Sequence, residues 1–353
     1  MTLACPTSAL WLLADLGGTY IRFALANPLA RNPLLLDSIR SYRVERFESL
    51  VQAAQQYAGD GGVSPRNAVF AVAGLVQGDA VQMTNHPWNI SVDATRTQLG
   101  LHQLIVRNDF SAQAAGLPYL EPHQAQRLGL PEAATLLTPL PRTVAVLGPG
   151  TGLGVAGLLL RGGLAQVIET EGGHTGFAPT TAQEVSILQH LSERFGRVSN
   201  ERLVCGSGLV NIYQAVCALA AQPASTPSPE QISARALAGS DPLSLRSVEV
   251  FCSVLASVAG DTVLALGAWD GVYLAGGLVP VVMPWLRQDA FRQRFENKGR
   301  FSSALAKVPV LAIMHSQPGL LGAAAIAVTA AKSPAVQRSY QSESALCAQA
   351  TTL

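Results

Sequence analysis

Residues 12–25 read LLADLGGTYIRFAL: an apolar run ends in a carboxylate, two glycines and a threonine follow, and the chain turns apolar again. The pattern predicts a strand that ends in Asp15, a turn through Gly17 and Gly18 with the hydroxyl of Thr19, and a return strand carrying Arg22. Such a hairpin has a small polar mouth at its tip, a shape suited to a phosphate and a metal ion. Glycine turns are common, so the stretch taken alone is equally an ordinary tight hairpin, and the rest of the chain has to decide.

The theme returns twice. RTVAVLGPGTGLGVAGLLL (142–160) is again an apolar strand, a glycine turn with a threonine (Gly150, Thr151, Gly152) and an apolar return strand, which reads as an internal duplication. GVYLAGGLVP (271–280) is a third strand running into paired glycines, Gly276 and Gly277. Backbone N–H groups at such turns approach phosphate oxygens closely because glycine has no Cβ, so the three together suggest a nucleotide held between two halves. Two rival phosphate motifs fail. The only lysines are Lys298, Lys307 and Lys332, none of which closes a P-loop, and GPGTGLG has Leu153 and Val155 where the dinucleotide fingerprint needs glycine.

A chain of 353 residues allows one large or two medium domains, and two is the working number. Charged residues make up 13% and the formal net charge is +1, which offers no basic field for nucleic acid; the partners expected are small molecules. A hydrophobic content of 48% and a mean hydropathy of +0.26 raise the question of a membrane. The uncharged stretch Thr143–Leu160 is nearly long enough to span, but five glycines and prolines interrupt its centre (Gly148, Pro149, Gly150, Gly152, Gly154). No Lys or Arg precedes SALWLL and Asp15 cuts that run short, so a secretory signal is not expected either, and the reading is a cytoplasmic protein without a membrane span. Five scattered cysteines without C-x-x-C spacing suit reduced, mostly buried thiols, and six histidines without an H-x-x-x-H pair speak against a protein-built zinc site, although a nucleotide-borne Mg²⁺ would leave no such signature.

Along the chain, NAVFAVAGLV (67–76) and HQLIVRNDF (102–110) read as short buried strands, and 181–196 and 244–268 read as helices separated by the proline-rich loop 222–230. GLLGAAAIAVTAA (319–331) reads as an apolar helix, and the polar end without a clear period (334–353) as a frayed tail.

DLGGTYIRF, MTNHPW (83–88), RNDFSA (107–112), GPGTGLGVA, EGGHTGFAP (171–179), VSNERLVCGSGLVNIY (198–213), AGGLVP, ENKGRF (296–301) and PGLLGA (318–323) resemble, in order, the sequence blocks of the bacterial glucokinase family within the actin-like sugar kinases. The resemblance covers roughly residues 10–330, and an ordered series of blocks is far more specific than any one of them. The related repressor and kinase group with a C-x-C-G zinc loop is excluded, because no cysteines here have that spacing. The fold it implies is α/β, of the actin-like ATPase (ribonuclease H-like) type, with two α/β domains around a cleft: residues 10–118 plus 319–333 as the small domain and 119–318 as the large one. The activity it implies is phosphorylation of glucose by ATP with Mg²⁺.

Residue by residue, the resemblance makes Asp109 the general base for the sugar hydroxyl, with Asn108 beside it, and makes Glu171, His174 and Glu201 sugar ligands. Each also has a structural reading: an Asn-Asp pair at a strand end is a typical N-cap, EGGH a satisfied polar turn, and Glu201 the acid of a capping box after Ser199 or a helix-end surface charge. Glu169 competes with Glu171, but the matching block begins at Glu171. Asp15 and Arg22 go to the phosphate end, the acid orienting a hydrated Mg²⁺ and the guanidinium offsetting charge on the transferred group, and Thr19 and Thr151 donate to phosphate oxygens. Two positions depart from the family: Tyr20 stands where Asn is common, and Val281 where a basic residue often follows AGGLVP. A kinase of another hexose, such as fructose or mannose, and a sugar-binding regulator without activity are the alternatives. The residues leave the oligomeric state open, a homodimer included.

Overall fold

The structure is a computed structural model that describes residues 10–83, 88–129, 142–162, 164–223 and 225–332. Residues 84–87 of the MTNHPW block and the tail 334–353 lie outside the described residues. The chain divides into two compact units, one made of the residues up to Leu120 together with those from Ser316 on, the other of Glu121–His315.

In the first unit β1 (Trp11–Leu16), β2 (Tyr20–Ala26) and β3 (Leu34–Arg43) form an antiparallel meander, and β4 (Asn67–Val72) pairs parallel with β1. The stretch 67–76, expected as one strand, is two. The chain leaves the sheet at Ala73, whose N–H donates to the Leu16 carbonyl at 2.9 Å, and β5 (Gly74–Gln77) joins β6 (Ala80–Met83) and β7 (Asn89–Ser91) in a small second sheet. Finally β8 (Gln103–Asn108) pairs parallel with β4, which gives the order β3-β2-β1-β4-β8. All six residues of β4, NAVFAV, are buried, which is why the strand reads as an unbroken apolar run rather than an alternation.

The second unit repeats this plan. β9 (Ala125–Arg127) is an edge strand; β10 (Arg142–Pro149), β11 (Leu153–Arg161) and β12 (Leu164–Thr170) form the meander; β13 (Val272–Leu274) pairs parallel with β10 and β14 (Val310–Ile313) parallel with β13. The order is β12-β11-β10-β13-β14-β9, so apart from β9 the strands match the first sheet in order and direction. The duplication visible in the two glycine turns is a duplication of a whole sheet. Each unit has its own apolar core.

The 25-residue helix Pro242–Leu266 is long and apolar enough to cross a membrane by length and composition. Its most apolar stretch is 72% buried inside the second unit, and it supplies Phe251, Leu255 and Val263 to the core, so it is the spine of that unit. Asp241 caps its start by accepting from the Leu243 N–H at 3.0 Å, and Gly267, at φ +64°, ends it. Cys205, Cys217 and Cys252 are free and buried.

Two helices of the first unit, Asp109–Gly116 and Pro318–Ala331, cross at a pair of glycines. A Cβ on Gly322 would lie 1.8 Å from the Ala112 carbonyl oxygen, and one on Gly116 2.9 Å from the Gly322 nitrogen. The contact is backbone on backbone, which is why the returning helix carries small residues where it meets its neighbour. The same helix packs against β1 and β4.

Candidate active site

In the first unit the candidate residues gather where strands end and helices begin. Asp15 and Arg22 stand opposite each other in the β1–β2 register, and a guanidinium nitrogen lies 3.6 Å from a carboxylate oxygen. The Gly17 N–H donates to the Tyr20 carbonyl at 3.0 Å, which closes the turn through Gly18 and Thr19. Tyr20 is 40% exposed and has the Arg43 guanidinium over its ring, 5.6 Å from the centroid, a contact an asparagine would not make. Against Asp15 comes the start of the Pro318 helix. A Cβ on Gly319 would sit 2.7 Å from the Asp15 carboxyl carbon, so the glycine lets the carboxylate reach the electropositive end of that helix. PGLLGA carries no role for Gly319 in the sequence alone; Pro-Gly at a helix start is the signal there.

Burial pushes the Asp15 carboxyl above the ordinary carboxylate range, and Arg22 offsets only part of this. A raised folded-state value means that the group's contribution to stability is complete below the ordinary carboxylate range, near pH 4, and is lost as pH rises through the raised value. Asp15→Asn should therefore melt a few degrees above wild type at pH 7, with the gap closing towards pH 4, as thermal scans across that range will show. A variant that melts lower at pH 7 would mean that pairing with Arg22 outweighs burial.

Asn108 ends β8, and Asp109 opens the next helix. The N-cap is Asn108: its Oδ1 accepts from the N–H groups of Phe110 and Ser111 at 2.9 and 3.3 Å, and its Nδ2 donates to the Gly74 carbonyl at 3.3 Å. With both lone pairs engaged, Asn108 has an amide hydrogen left for a ligand but no free acceptor. Asp109 is the first helical residue, where its Oδ1 accepts from the Phe110 N–H at 3.0 Å. The cap is thus filled without it.

In the second unit the turn Gly150–Thr151–Gly152 joins β10 to β11, with the Gly150 N–H donating to the Gly152 carbonyl at 2.8 Å. The glycines differ in why they are glycine. A Cβ on Gly150 or Gly277 would meet nothing within 4 Å, so no protein atom demands glycine there and the backbone is open to a ligand. Gly276, at φ +91° and with the Pro149 carbonyl 2.6 Å from a would-be Cβ, is fixed by the fold itself. The helix Gly206–Leu219 starts against the same hairpin, its Gly206 N–H donating to the Gly150 carbonyl at 2.9 Å, a contact the sequence did not disclose.

Glu171, His174 and Glu201 are brought together. Gly172–His174 form a single 3₁₀ turn after Glu171, pressed so closely on β11 that a Cβ on Gly173 would lie 2.0 Å from the Leu153 carbonyl. The following loop is zipped to 198–204: the Asn200 N–H donates to the Thr175 carbonyl and the Asn200 Nδ2 to the Thr175 Oγ1, each at 2.9 Å. His174 stands between two carboxylates, with Nε2 4.0 Å from Glu171 and Nδ1 3.9 Å from Glu201. Ser199 makes no side-chain cap, so the capping-box reading of Glu201 does not hold; its Oε2 instead accepts from the Leu153 N–H at 2.9 Å. Val281 is 39% exposed on the helix that follows Gly277, and Glu169 lies within β12.

Two sheets of one strand order, each with a glycine turn between its first two strands, define an α/β protein of the actin-like ATPase type. The glucokinase family profile matches residues 12–330. A glucokinase of Stenotrophomonas maltophilia is 52% identical over 319 residues, which are 90% of this chain and 95% of that protein. Among solved structures, a glucokinase from an Antarctic psychrotroph superposes with a TM-score of 0.79 at 33% identity, covering 90% of this chain and 98% of that one. A ROK family glucokinase from Streptomyces griseus, solved with glucose and AMPPNP, shares the fold at a TM-score of 0.59 and 20% identity, over 90% of this chain and 98% of that one. The chain belongs to the glucokinase family.

Proposed function

We propose that the chain transfers the γ-phosphoryl group of ATP to the 6-hydroxyl of glucose. The observation that carries this reading is the second unit's set of Glu171, His174 and Glu201, two carboxylates and an imidazole fit to grip adjacent hydroxyls, built against a glycine hairpin open at Gly150. The names of the relatives support it, as do the glucose and AMPPNP of the Streptomyces structure.

In this reading the sugar's 6-oxygen attacks the γ-phosphorus, the bond to the β-phosphate oxygen breaks, ADP leaves, and the hydroxyl proton passes to the Asp109 carboxylate. Asn108 donates its remaining amide hydrogen to the sugar. Thr19, Thr151 and the N–H groups around Gly17, Gly18, Gly150, Gly152, Gly276 and Gly277 serve the phosphates, and Arg22 offsets charge on the transferred group. Among the described residues no three His, Cys, Asp or Glu side chains gather to hold a metal. Asp15, a single carboxylate 19% exposed beside Arg22, would hold Mg²⁺ through the metal's own waters as the ion arrives on the nucleotide. Bound there, Mg²⁺ would neutralise phosphate oxygens. The buried free thiols suit the reducing cytoplasm.

ADP release measured with glucose, mannose and fructose in parallel tests the reading. Glucose should give the highest kcat/KM; a higher value for another hexose would transfer the activity to that sugar, and glucose binding without any ADP release would make the chain a sugar sensor. Within the site, Glu171→Gln replaces an ionised acceptor by an amide whose NH₂ cannot accept a hydroxyl proton, so KM for glucose should rise about tenfold with KM for ATP nearly unchanged. If the ATP constant moved instead, the sugar and phosphate ends would have to be exchanged.

A further inference from the structure

We propose that Glu201 serves both ends of the reaction, and that Gly152 is glycine in order to admit this carboxylate rather than a phosphate. The inference rests on reading the β10–β11 hairpin as a nucleotide site. One Glu201 oxygen, Oε1, faces His174 at 3.9 Å, at the sugar end. The other, Oε2, accepts from the Leu153 N–H at 2.9 Å, on the first residue after the hairpin's turn. That N–H sits opposite Pro149, which has no N–H of its own, and the Pro149 carbonyl is taken by the Leu278 N–H at 3.2 Å. The last rung of the hairpin is therefore held by a side chain 48 residues further along the chain.

The glycines confirm where this carboxylate has been given room. The atoms nearest to a Cβ on Gly152 are the Glu201 Oε2 at 2.5 Å, its carboxyl carbon at 3.3 Å and its Oε1 at 4.0 Å, all from one side chain. A methyl group at 152 would collide with the clasp. Two residues back in the same turn, a methyl at Gly150 would meet nothing within 4 Å. Glu201 is thus a positioning residue for the hairpin as well as a sugar ligand, and the phosphate-side backbone is set by a group that the sugar also touches.

The two roles separate by substitution. In Glu201→Gln the amide oxygen still accepts from Leu153 while the ionised acceptor at the sugar end is lost; in Glu201→Ala both are lost. Titration of the full chain with Mg-AMPPNP, without sugar, should give wild-type affinity within about twofold for Glu201→Gln, and about tenfold weaker binding for both Glu201→Ala and Gly152→Ala. Because the only conflict of a methyl at 152 is with Glu201, adding Gly152→Ala to Glu201→Ala should cost less than about twofold more. Amide exchange at Leu153 reads the clasp without any ligand: it should speed up in Glu201→Ala and Gly152→Ala and stay slow in Glu201→Gln. Unchanged nucleotide affinity or slow Leu153 exchange in Glu201→Ala would overturn the inference, and so would full additivity of the two substitutions, which is the result expected if Gly152 makes way for phosphate. A wild-type chain that binds no AMPPNP would instead overturn the kinase reading itself, and the coupling with it.

Discussion

Asp109→Asn should lower kcat by about 10²–10⁴-fold while glucose still binds and the fold still melts cooperatively. The exchange keeps the side chain's size and most of its hydrogen bonding but removes the carboxylate proposed to take the proton from the attacking hydroxyl. The alternative for this residue was a structural cap, and the geometry makes the two separable. Asn108 already fills the cap with two backbone N–H groups, so the cap does not depend on Asp109, whose charge at the first helical position favours the helix start. That charge contributes about 0.3–1 kcal/mol, a small loss of stability in the variant and no reason for a collapse of turnover. Steady-state kinetics beside thermal melting check both halves. A kcat near that of wild type would remove Asp109 from the chemistry.

Gly322→Ala should destabilise the first unit by about 3 kcal/mol or more, the upper part of the range for overpacking, because the added methyl meets main chain and not a side chain that can rotate away. The Cβ would lie 1.8 Å from the Ala112 oxygen and 2.2 Å from its carbon, so the helices Asp109–Gly116 and Pro318–Ala331 have to part. In a unit of this size the melting temperature should fall by roughly 6–12 °C. Turnover should fall with it at temperatures where the variant is still folded, since one helix opens with Asp109 and the other brings Gly319 against Asp15. Calorimetry and kinetics on one sample measure both effects. An unchanged melting temperature would show that the crossing is looser than the glycine contacts indicate.

The features that sequence disclosed are the local ones. DLGGT and GPGTGLG are hairpins whose strands are adjacent in the chain, so apolar runs around a glycine turn suffice to place Asp15 opposite Arg22 and to reveal the duplication. The helix 181–196 was legible for the same reason: the Thr181 side chain caps it by accepting from the Glu184 N–H, and Gly196 ends it. What escaped depends on distant partners or on a choice between equals. Asn108 and Asp109 are both good caps, and only the backbone, extended at Asn108 with ψ 144°, selects the first. Gly150, Gly152 and Gly276 look alike in sequence; one is open, one makes room for Glu201 and one needs a positive φ. NAVFAVAGLV is apolar throughout, so nothing in it marks Ala73 as the point where the chain changes sheets. The meeting of Gly116 with Gly322 joins segments from opposite ends of the first unit, and small residues in an apolar helix do not name their partner.

The central claim is transfer of phosphate to one hydroxyl of one sugar, and identification of the product by phosphorus NMR after incubation with glucose and MgATP tests it most directly. The account predicts ADP and glucose 6-phosphate in equal amounts, and the same reaction at a small fraction of the rate in Asp109→Asn. Glucose left unphosphorylated by a protein that binds it, or phosphate found on a hydroxyl other than the sixth, would contradict it.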